Sequence, residues 1–243
     1  GVPIASFLAS TVSFQLSMAF FAVINAIVFI ATWAFFPSMP VKERLSYGAQ
    51  LSVLKNPVTW LSIMAVLLLN SAVFGVYSYL AEYLKTVTNI SGKLISFILI
   101  LFGVANIIGN IIAGKLLTKN AIKTVVVFPF ALGVVYIILF FIGQFTLPMA
   151  IMTLVWGIFA GIGTNINQYW ISSAAPKAPD FANGLFLSSV NLGTTIGTAV
   201  GGLFISGLGT EYVVLVGILS LVLSVVFILP RSYMNRPIKQ LSK

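Results

Sequence analysis

The stretch LISFILILFGVANIIGNIIAG (Leu94 to Gly114), followed by KLLTKNAIK (Lys115 to Lys123) and TVVVFPFALGVVYIILFFIG (Thr124 to Gly143), decides what kind of protein this is. A hydrocarbon layer about 30 Å thick, climbed at about 1.5 Å per residue, takes about 20 apolar residues to cross as a helix. Both flanking runs meet that length without one charge, and the three lysines sit between them. Working outward, further uncharged runs occupy residues 17–36, 58–81, 147–170, 181–206 and 212–229, with a shorter one at 1–12. Transmembrane β-strands would instead show alternating segments of about ten residues. The spacing therefore predicts an all-α, polytopic membrane helical bundle with seven full spans and one partial span.

Composition agrees. A soluble globule carries roughly a quarter of its residues charged, whereas here 7% of 243 residues are charged and 59% are hydrophobic. The chain has no Cys and no His, which removes thiol catalysis, disulfides and the usual zinc, haem and iron–sulfur ligand sets. No cofactor, no metal and no enzyme activity are expected. The net charge of +9 is spread over connecting segments without interleaved aromatics, so it is not a nucleic-acid footprint.

The basic residues report topology instead, because short cytoplasmic loops retain Lys and Arg. Lys42, Arg44, Lys55, Lys115, Lys119, Lys123, Lys177, Arg231, Arg236, Lys239 and Lys243 fall on one side of the spans, and only Lys85 and Lys93 on the other. Eleven against two places the first set, and the C-terminus, in the cytoplasm. The longest polar connection, residues 37–57, separates 1–36 from six complete spans over 58–230 and a basic tail at 231–243. Residues 1–12 are too short to cross, carry Pro3 and lack an initiating Met. The expectation is the later part of a longer protein.

Polar residues inside hydrocarbon are costly and face a bundle interior or a wet cavity, so their spacing marks functional faces. Asn70, Phe74, Tyr77 and Ala81 share one helical stripe. Asn106 and Asn110 are one turn apart, and Asn165 and Gln168 share a face. In the run 181–206, Gly184, Ser188, Asn191 and Thr195 form one stripe, while Gly193, Gly197 and Gly201 form another about half a turn away. The glycine stripe is a packing device that lets a neighbouring backbone approach closely, and Gly157 with Gly161, and Ala105, Gly109 and Ala113, repeat it more weakly. Each amide has two readings, interhelical glue or ligand contact. Asn70 with Tyr77, Asn191 with Ser188, and Asn106 are the candidate ligand surface, ahead of Asn110 and Gln168. Ionisable groups are few. Glu82, three residues before Lys85, reads as an exposed pair or interfacial anchor, Asp180 as an N-cap before Phe181, and Glu211 as a loop residue.

Local strings add a resemblance over nearly the whole chain. Ala174-Ala-Pro176, Phe181-Ala-Asn-Gly184-Leu, Val190-Asn-Leu-Gly193 and Gly197-Thr-Ala-Val-Gly201-Gly202 resemble the loop and eleventh helix of the major facilitator superfamily, in its drug:proton antiporter branch and the related sugar and nucleoside exporters. Gly1-Val-Pro3 resembles the end of the fifth-helix antiporter motif, with Ala5 and Ser6 where further glycines are common. Gly114-Lys-Leu-Leu-Thr-Lys119 resembles the second-half loop motif, with Thr118 in place of its usual Asp, and Leu54-Lys-Asn-Pro57 resembles the entry to helix seven.

The resemblance implies a major-facilitator-like second half: residues 1–36 as the end of helix five and helix six, 37–57 as the interdomain loop, and the rest as helices seven to twelve. It also implies a site at mid-membrane between two six-helix halves that rock about it. The expected function is secondary active, proton-coupled efflux of a small organic solute (drug, sugar or nucleoside) across a prokaryotic plasma membrane, with substrate contacts from Asn70, Tyr77, Asn106, Ser188 and Asn191. The partners implied are the lipid bilayer, the small-molecule substrate, protons and the first half of the same protein, without which this chain is not expected to transport. The competing reading is a membrane-embedded binding or assembly protein with no transport cycle.

Overall fold

A computed structural model describes residues 13–35 and 46–234. The expectations for residues 1–12, for 37–45 of the loop at 37–57 and for the tail beyond Met234 fall outside the described residues. The chain divides into two compact units, residues 1–46 and 47–243.

In the first unit α1 (Phe14–Phe35) is an uncharged 22-residue helix, long enough at about 1.5 Å per residue to cross the hydrocarbon layer. The Ser13 hydroxyl accepts from Leu16 N–H at 3.1 Å and so caps its start. Two of its polar side chains are satisfied within the helix: Asn25 Nδ2 donates to Phe21 O and Thr32 Oγ1 to Val28 O, both at 2.8 Å. That is how isolated polar groups are tolerated in a lipid-spanning helix.

The second unit opens with a short α2 (Tyr47–Leu51) and a 3-10 turn, Ser52–Lys55. Asn56 then caps α3 (Pro57–Tyr77) by accepting from Val58 N–H at 2.9 Å, with Pro57 at the first helical position. Residues 58–81 were expected as one continuous span, but the helix tightens at Ser78–Tyr79 before α4 (Leu80–Thr86). The two side chains at this break bond to α7, described below. Glu82 and Lys85 on α4 are exposed and make no ion pair with each other.

The two apolar runs around Lys115–Lys123 fall in α5 (Gly92–Ile142), 51 residues with one non-helical position, Asn120 (φ −162°, ψ 87°). A straight helix of that length would run about 77 Å, far beyond a bilayer. It folds back instead: the Trp156 ring lies 5.4 Å from Phe102 and 5.6 Å from Tyr136, residues that a straight helix would hold about 50 Å apart. The expected nine-residue loop is thus a one-residue corner. Asn120 Oδ1 accepts from Lys123 N–H at 2.9 Å and starts the second arm, while Thr124 Oγ1 reaches Leu116 O at 3.1 Å and Asn120 O at 2.9 Å, covering carbonyls left by the first.

α6 (Thr146–Ser172), α7 (Pro179–Leu208) and α8 (Val213–Met234) complete the unit. Pro179 takes the first turn of α7, so Asp180 lies inside that turn rather than at the N-cap, which is Ala178. Gly209, at φ +113°, turns the chain out of α7 into a 3-10 turn, Thr210–Tyr212, a conformation a side chain would strain. α8 runs through Arg231 to Met234, so the first four residues of the expected tail are helical.

α3 is the central helix of this unit and packs against α6, α7 and α8. Tyr136 Oη donates to Ala72 O at 2.8 Å, tying the second arm of α5 to α3. By length and composition α1, α3 with α4, α5, α6 and the segment Thr210–Met234 are long and apolar enough to cross a membrane, and each arm of α5 on its own exceeds 20 residues. α7 has the length, 30 residues, but six glycines and its Ser, Asn and Thr residues dilute its apolarity. The second unit is thus a bundle of six long helical stretches, counting the two arms of α5 separately, with no strand among the described residues.

Candidate functional site

The seam between α3 and α7 is built on the glycine stripe. A Cβ on Gly197 would lie 2.5 Å from Ser71 O, one on Gly201 2.6 Å from Gly75 O, and one on Gly193 would overlap Leu67 O. Backbones in such contact leave no lipid between them and gain dispersion along their length. Three hydrogen bonds add direction. Asn70 Nδ2 donates to Val190 O at 2.6 Å and to Thr194 Oγ1 at 2.8 Å, and Ser71 Oγ donates to Gly193 O at 2.8 Å. Beyond them Tyr79 Oη donates to Thr198 O at 2.8 Å, and the Ser78 and Thr198 hydroxyls lie 3.0 Å apart. Gly201 and Gly202 leave room for the Tyr79 ring. Asn70 is therefore buried, with both amide hydrogens engaged by α7.

Two turns further along α3, Tyr77 enters an aromatic cluster. Its ring stacks on Phe102 of α5 at 4.8 Å and meets Trp156 of α6 edge-on at 6.2 Å and Phe74 at 5.9 Å. The ring is half-buried and its hydroxyl makes no hydrogen bond among the described residues. Trp156 is fully buried.

One turn along α5 from Phe102 stands Asn106, in an amide cluster. Asn110 Nδ2 donates to Asn106 O at 3.0 Å and to Asn106 Oδ1 at 3.2 Å, and Asn165 Nδ2 of α6 donates to Asn110 Oδ1 at 2.6 Å. α5 and α6 touch here through their own small residues: a Cβ on Gly157 would lie 2.7 Å from Phe102 O, and one on Gly161 would overlap Asn106 O. Gln168 is exposed and takes no part in the cluster.

Ser188 and Asn191 lie on the other face of α7, exposed with Gly184 and Thr195. Asn191 Nδ2 donates to Leu187 O of its own helix at 2.8 Å, and Thr195 Oγ1 to Asn191 O at 3.0 Å. The Asn191 amide oxygen and the Ser188 hydroxyl are left without a partner among the described residues. The candidate residues thus occupy three places: Asn70 in the α3–α7 seam, Tyr77 with Asn106 along the α3–α5–α6 contact, and Ser188 with Asn191 on the open face of α7. No hydrogen bond joins the three.

Sequence reasoning missed Ser71, Thr194 and Thr198 as the acceptors and donors of the seam, although the tandem Asn70-Ser71 in an apolar run is a visible signal. It also read Arg231 only as a topological charge. Arg231 is fully buried, its guanidinium carbon 3.6 Å from the centre of the Trp170 ring, with Nη2 donating to Ser173 Oγ at 2.7 Å and Nε and Nη1 unpartnered among the described residues. Nothing in its neighbourhood in sequence announces this.

A family model described as Major Facilitator Superfamily matches residues 1–179 and 81–242. The inner membrane transport protein YdhP of Escherichia coli (strain K12) is 28% identical over 218 residues, 89% of this chain and 56% of its own length. A probable sugar efflux transporter of Helicobacter pylori (strain J99) is 24% identical over 220 residues, again 89% and 56%. The transcription regulatory protein OpdE of Pseudomonas aeruginosa is 25% identical over 184 residues, 74% of this chain and 46% of its own. The chain spans about half the length of the curated relatives it matches.

Proposed function

The chain belongs to the major facilitator superfamily, and from that premise we propose that it forms the second six-helix half, with the preceding helix, of a secondary active transporter exporting a small organic solute in exchange for protons. It is a multi-pass membrane protein, placed by this reading in a prokaryotic plasma membrane with its C-terminus in the cytoplasm. The first half of the transporter supplies the other wall of the site and the protonatable group, since the described spans hold no carboxylate near mid-membrane.

One observation carries the reading. α7 is locked to α3 by its glycine face and leaves Gly184, Ser188, Asn191 and Thr195 uncovered on another. Polar groups facing lipid are expensive, so this stripe faces water or a polar partner, as one wall of an alternating-access site does. Asn191 and Ser188 supply free polar groups there. Tyr77 and Asn106 supply an aromatic face and an amide, and Asn70 positions α7 from behind. An uncharged polar wall with aromatics suits sugars or nucleosides as well as drugs, and a relative's name as a probable sugar efflux transporter makes sugars the first class to try.

The test is transport by the complete natural protein in proteoliposomes with an imposed proton gradient, using radiolabelled sugars, nucleosides and a cationic dye. Accumulation that follows the gradient and collapses with an uncoupler supports the proposal. Gradient-independent movement overturns proton coupling, and no movement of any of the three classes overturns the exporter reading in favour of a binding or assembly protein.

A further inference from the structure

The two arms of α5 diverge below the corner at Asn120 and enclose, with α6, a groove of about 540 Å³. It has two chemically distinct ends. One is apolar, walled by Val127 and Phe128 of the second arm and by Phe159 and Ile162 of α6. The other is formed by Lys119, Asn120 and Lys123 at the corner itself. Both lysines are exposed, and none of the acidic residues Glu82, Asp180 and Glu211 lines the groove. Asn120 spends its Oδ1 on Lys123 N–H, which leaves its Nδ2 as a third donor at the same end. The second arm also starts there, adding the positive end of its dipole.

We propose that this groove binds one anionic phospholipid, with the phosphate between Lys119 and Lys123 and an acyl chain lying along Val127, Phe128 and Phe159. Charge complementarity selects the occupant. A free phosphate would use the lysine end and leave the apolar walls wet, whereas a neutral lipid would fill the walls and leave two cations unmatched. An anionic lipid satisfies both, and its headgroup depth matches a corner that marks where the chain leaves the hydrocarbon. The lysines lie on the cytoplasmic side in the orientation proposed above, but binding in a detergent micelle depends neither on that orientation nor on transport.

The complete natural protein, delipidated in detergent, is titrated with dioleoyl phosphatidylglycerol or dioleoyl phosphatidylcholine and retained lipid is counted by native mass spectrometry. Phosphatidylglycerol is expected to saturate one site more tightly than phosphatidylcholine. At about five-fold per lysine, K119Q/K123Q is expected to weaken phosphatidylglycerol about 30-fold and leave phosphatidylcholine unchanged. A131W, which fills the groove from its wall, is expected to remove the site while the lysines remain. Equal retention of the two lipids, or an unchanged affinity in K119Q/K123Q, overturns the proposal. So does full displacement of the lipid by millimolar inorganic phosphate, which would mark an anion site with no role for the chain. Both lysines are exposed at a surface, so circular dichroism of K119Q/K123Q is expected to match the parent and keep the comparison valid.

Discussion

Gly197→Ala tests the α3–α7 seam most directly. The added Cβ would lie 2.5 Å from Ser71 O and 2.8 Å from Ser71 Cα, backbone atoms that cannot rotate away. Comfortable contact needs roughly 3.5 Å, so α7 must retreat from α3 by roughly 1 Å. That retreat stretches the Asn70 bonds to Val190 and Thr194 and the Ser71 bond to Gly193, now 2.6 to 2.8 Å, to roughly 3.7 Å, outside hydrogen-bonding range. At about 0.6 kcal/mol each in a membrane protein, the three amount to about 2 kcal/mol. Overpacking adds about 1–3 kcal/mol, and the better helix propensity of Ala returns about 1 kcal/mol. The expected loss is about 2–4 kcal/mol, read as a lower unfolding midpoint in a denaturing-detergent titration. Gly207→Ala is the control, because no atom lies within 4 Å of its Cβ and the same propensity gain stands there unopposed. If G197A unfolds at the same midpoint as G207A, the two backbones do not touch and the seam is wrongly described.

Three further outcomes are expected. Because this chain contains no cysteine, a cysteine at Asn191 is reported by a membrane-impermeant thiol reagent without background from these residues; it is expected to label, whereas one at Asn70, buried in the seam, is not, and an unlabelled Asn191→Cys would argue for a binding or assembly protein with a dry interface. Tyr77→Phe keeps the stack on Phe102 and is expected to unfold like the parent while solute transport falls, whereas Tyr77→Ala loses the stack and is expected to cost about 2 kcal/mol of stability; a transport rate unchanged in Tyr77→Phe would remove the hydroxyl from the site. Arg231→Met replaces a buried cation that has no counter-ion among the described residues, so its stability is expected to stay within about 1 kcal/mol of the parent or to rise, and a loss of 3 kcal/mol or more would reveal an acidic partner outside the described residues.

The spans were legible because lipid imposes a severe rule: every backbone group satisfied internally and about 20 uncharged residues per crossing. The corner at Asn120 was not, since hydropathy registers Lys115 to Lys123 as polar whether or not they are helical. What keeps them helical is one amide capping Lys123 and one hydroxyl of Thr124 reaching back to Leu116. The glycine stripe on α7 could be read as a contact face from its four-residue spacing, but spacing describes a smooth surface and not the neighbour that lies on it. Choosing α3 required Asn70 and Ser71 to be seen reaching Val190, Thr194 and Gly193. The same limit applies to Asn106 and Asn110, adjacent on one helix in the sequence, whose cross-helix partner Asn165 is set by the close approach at Gly157 and Gly161.

α7 joins these observations physically. A helix of 30 residues that falls short of the apolarity of its neighbours is poorly suited to lipid on any side, and its composition is divided accordingly. The glycine face gives up side-chain area to gain backbone contact with α3, a gain available only in protein. The face carrying Ser188, Asn191 and Thr195 gives up apolarity, which is tolerable only against water or a polar surface. The first face makes α3 and α7 move as one body, because a shift of roughly 1 Å already breaks three hydrogen bonds. The second face then travels with that body, so anything that rocks the unit presents Asn191 and Ser188 to a new environment without changing their geometry. A rigid wall with an uncovered polar stripe is what alternating access requires of each half. It also separates the expected mutant phenotypes: changes at Gly193, Gly197 or Asn70 should lower stability first and transport in consequence, whereas Asn191→Ala should alter solute affinity in a protein that unfolds like the parent.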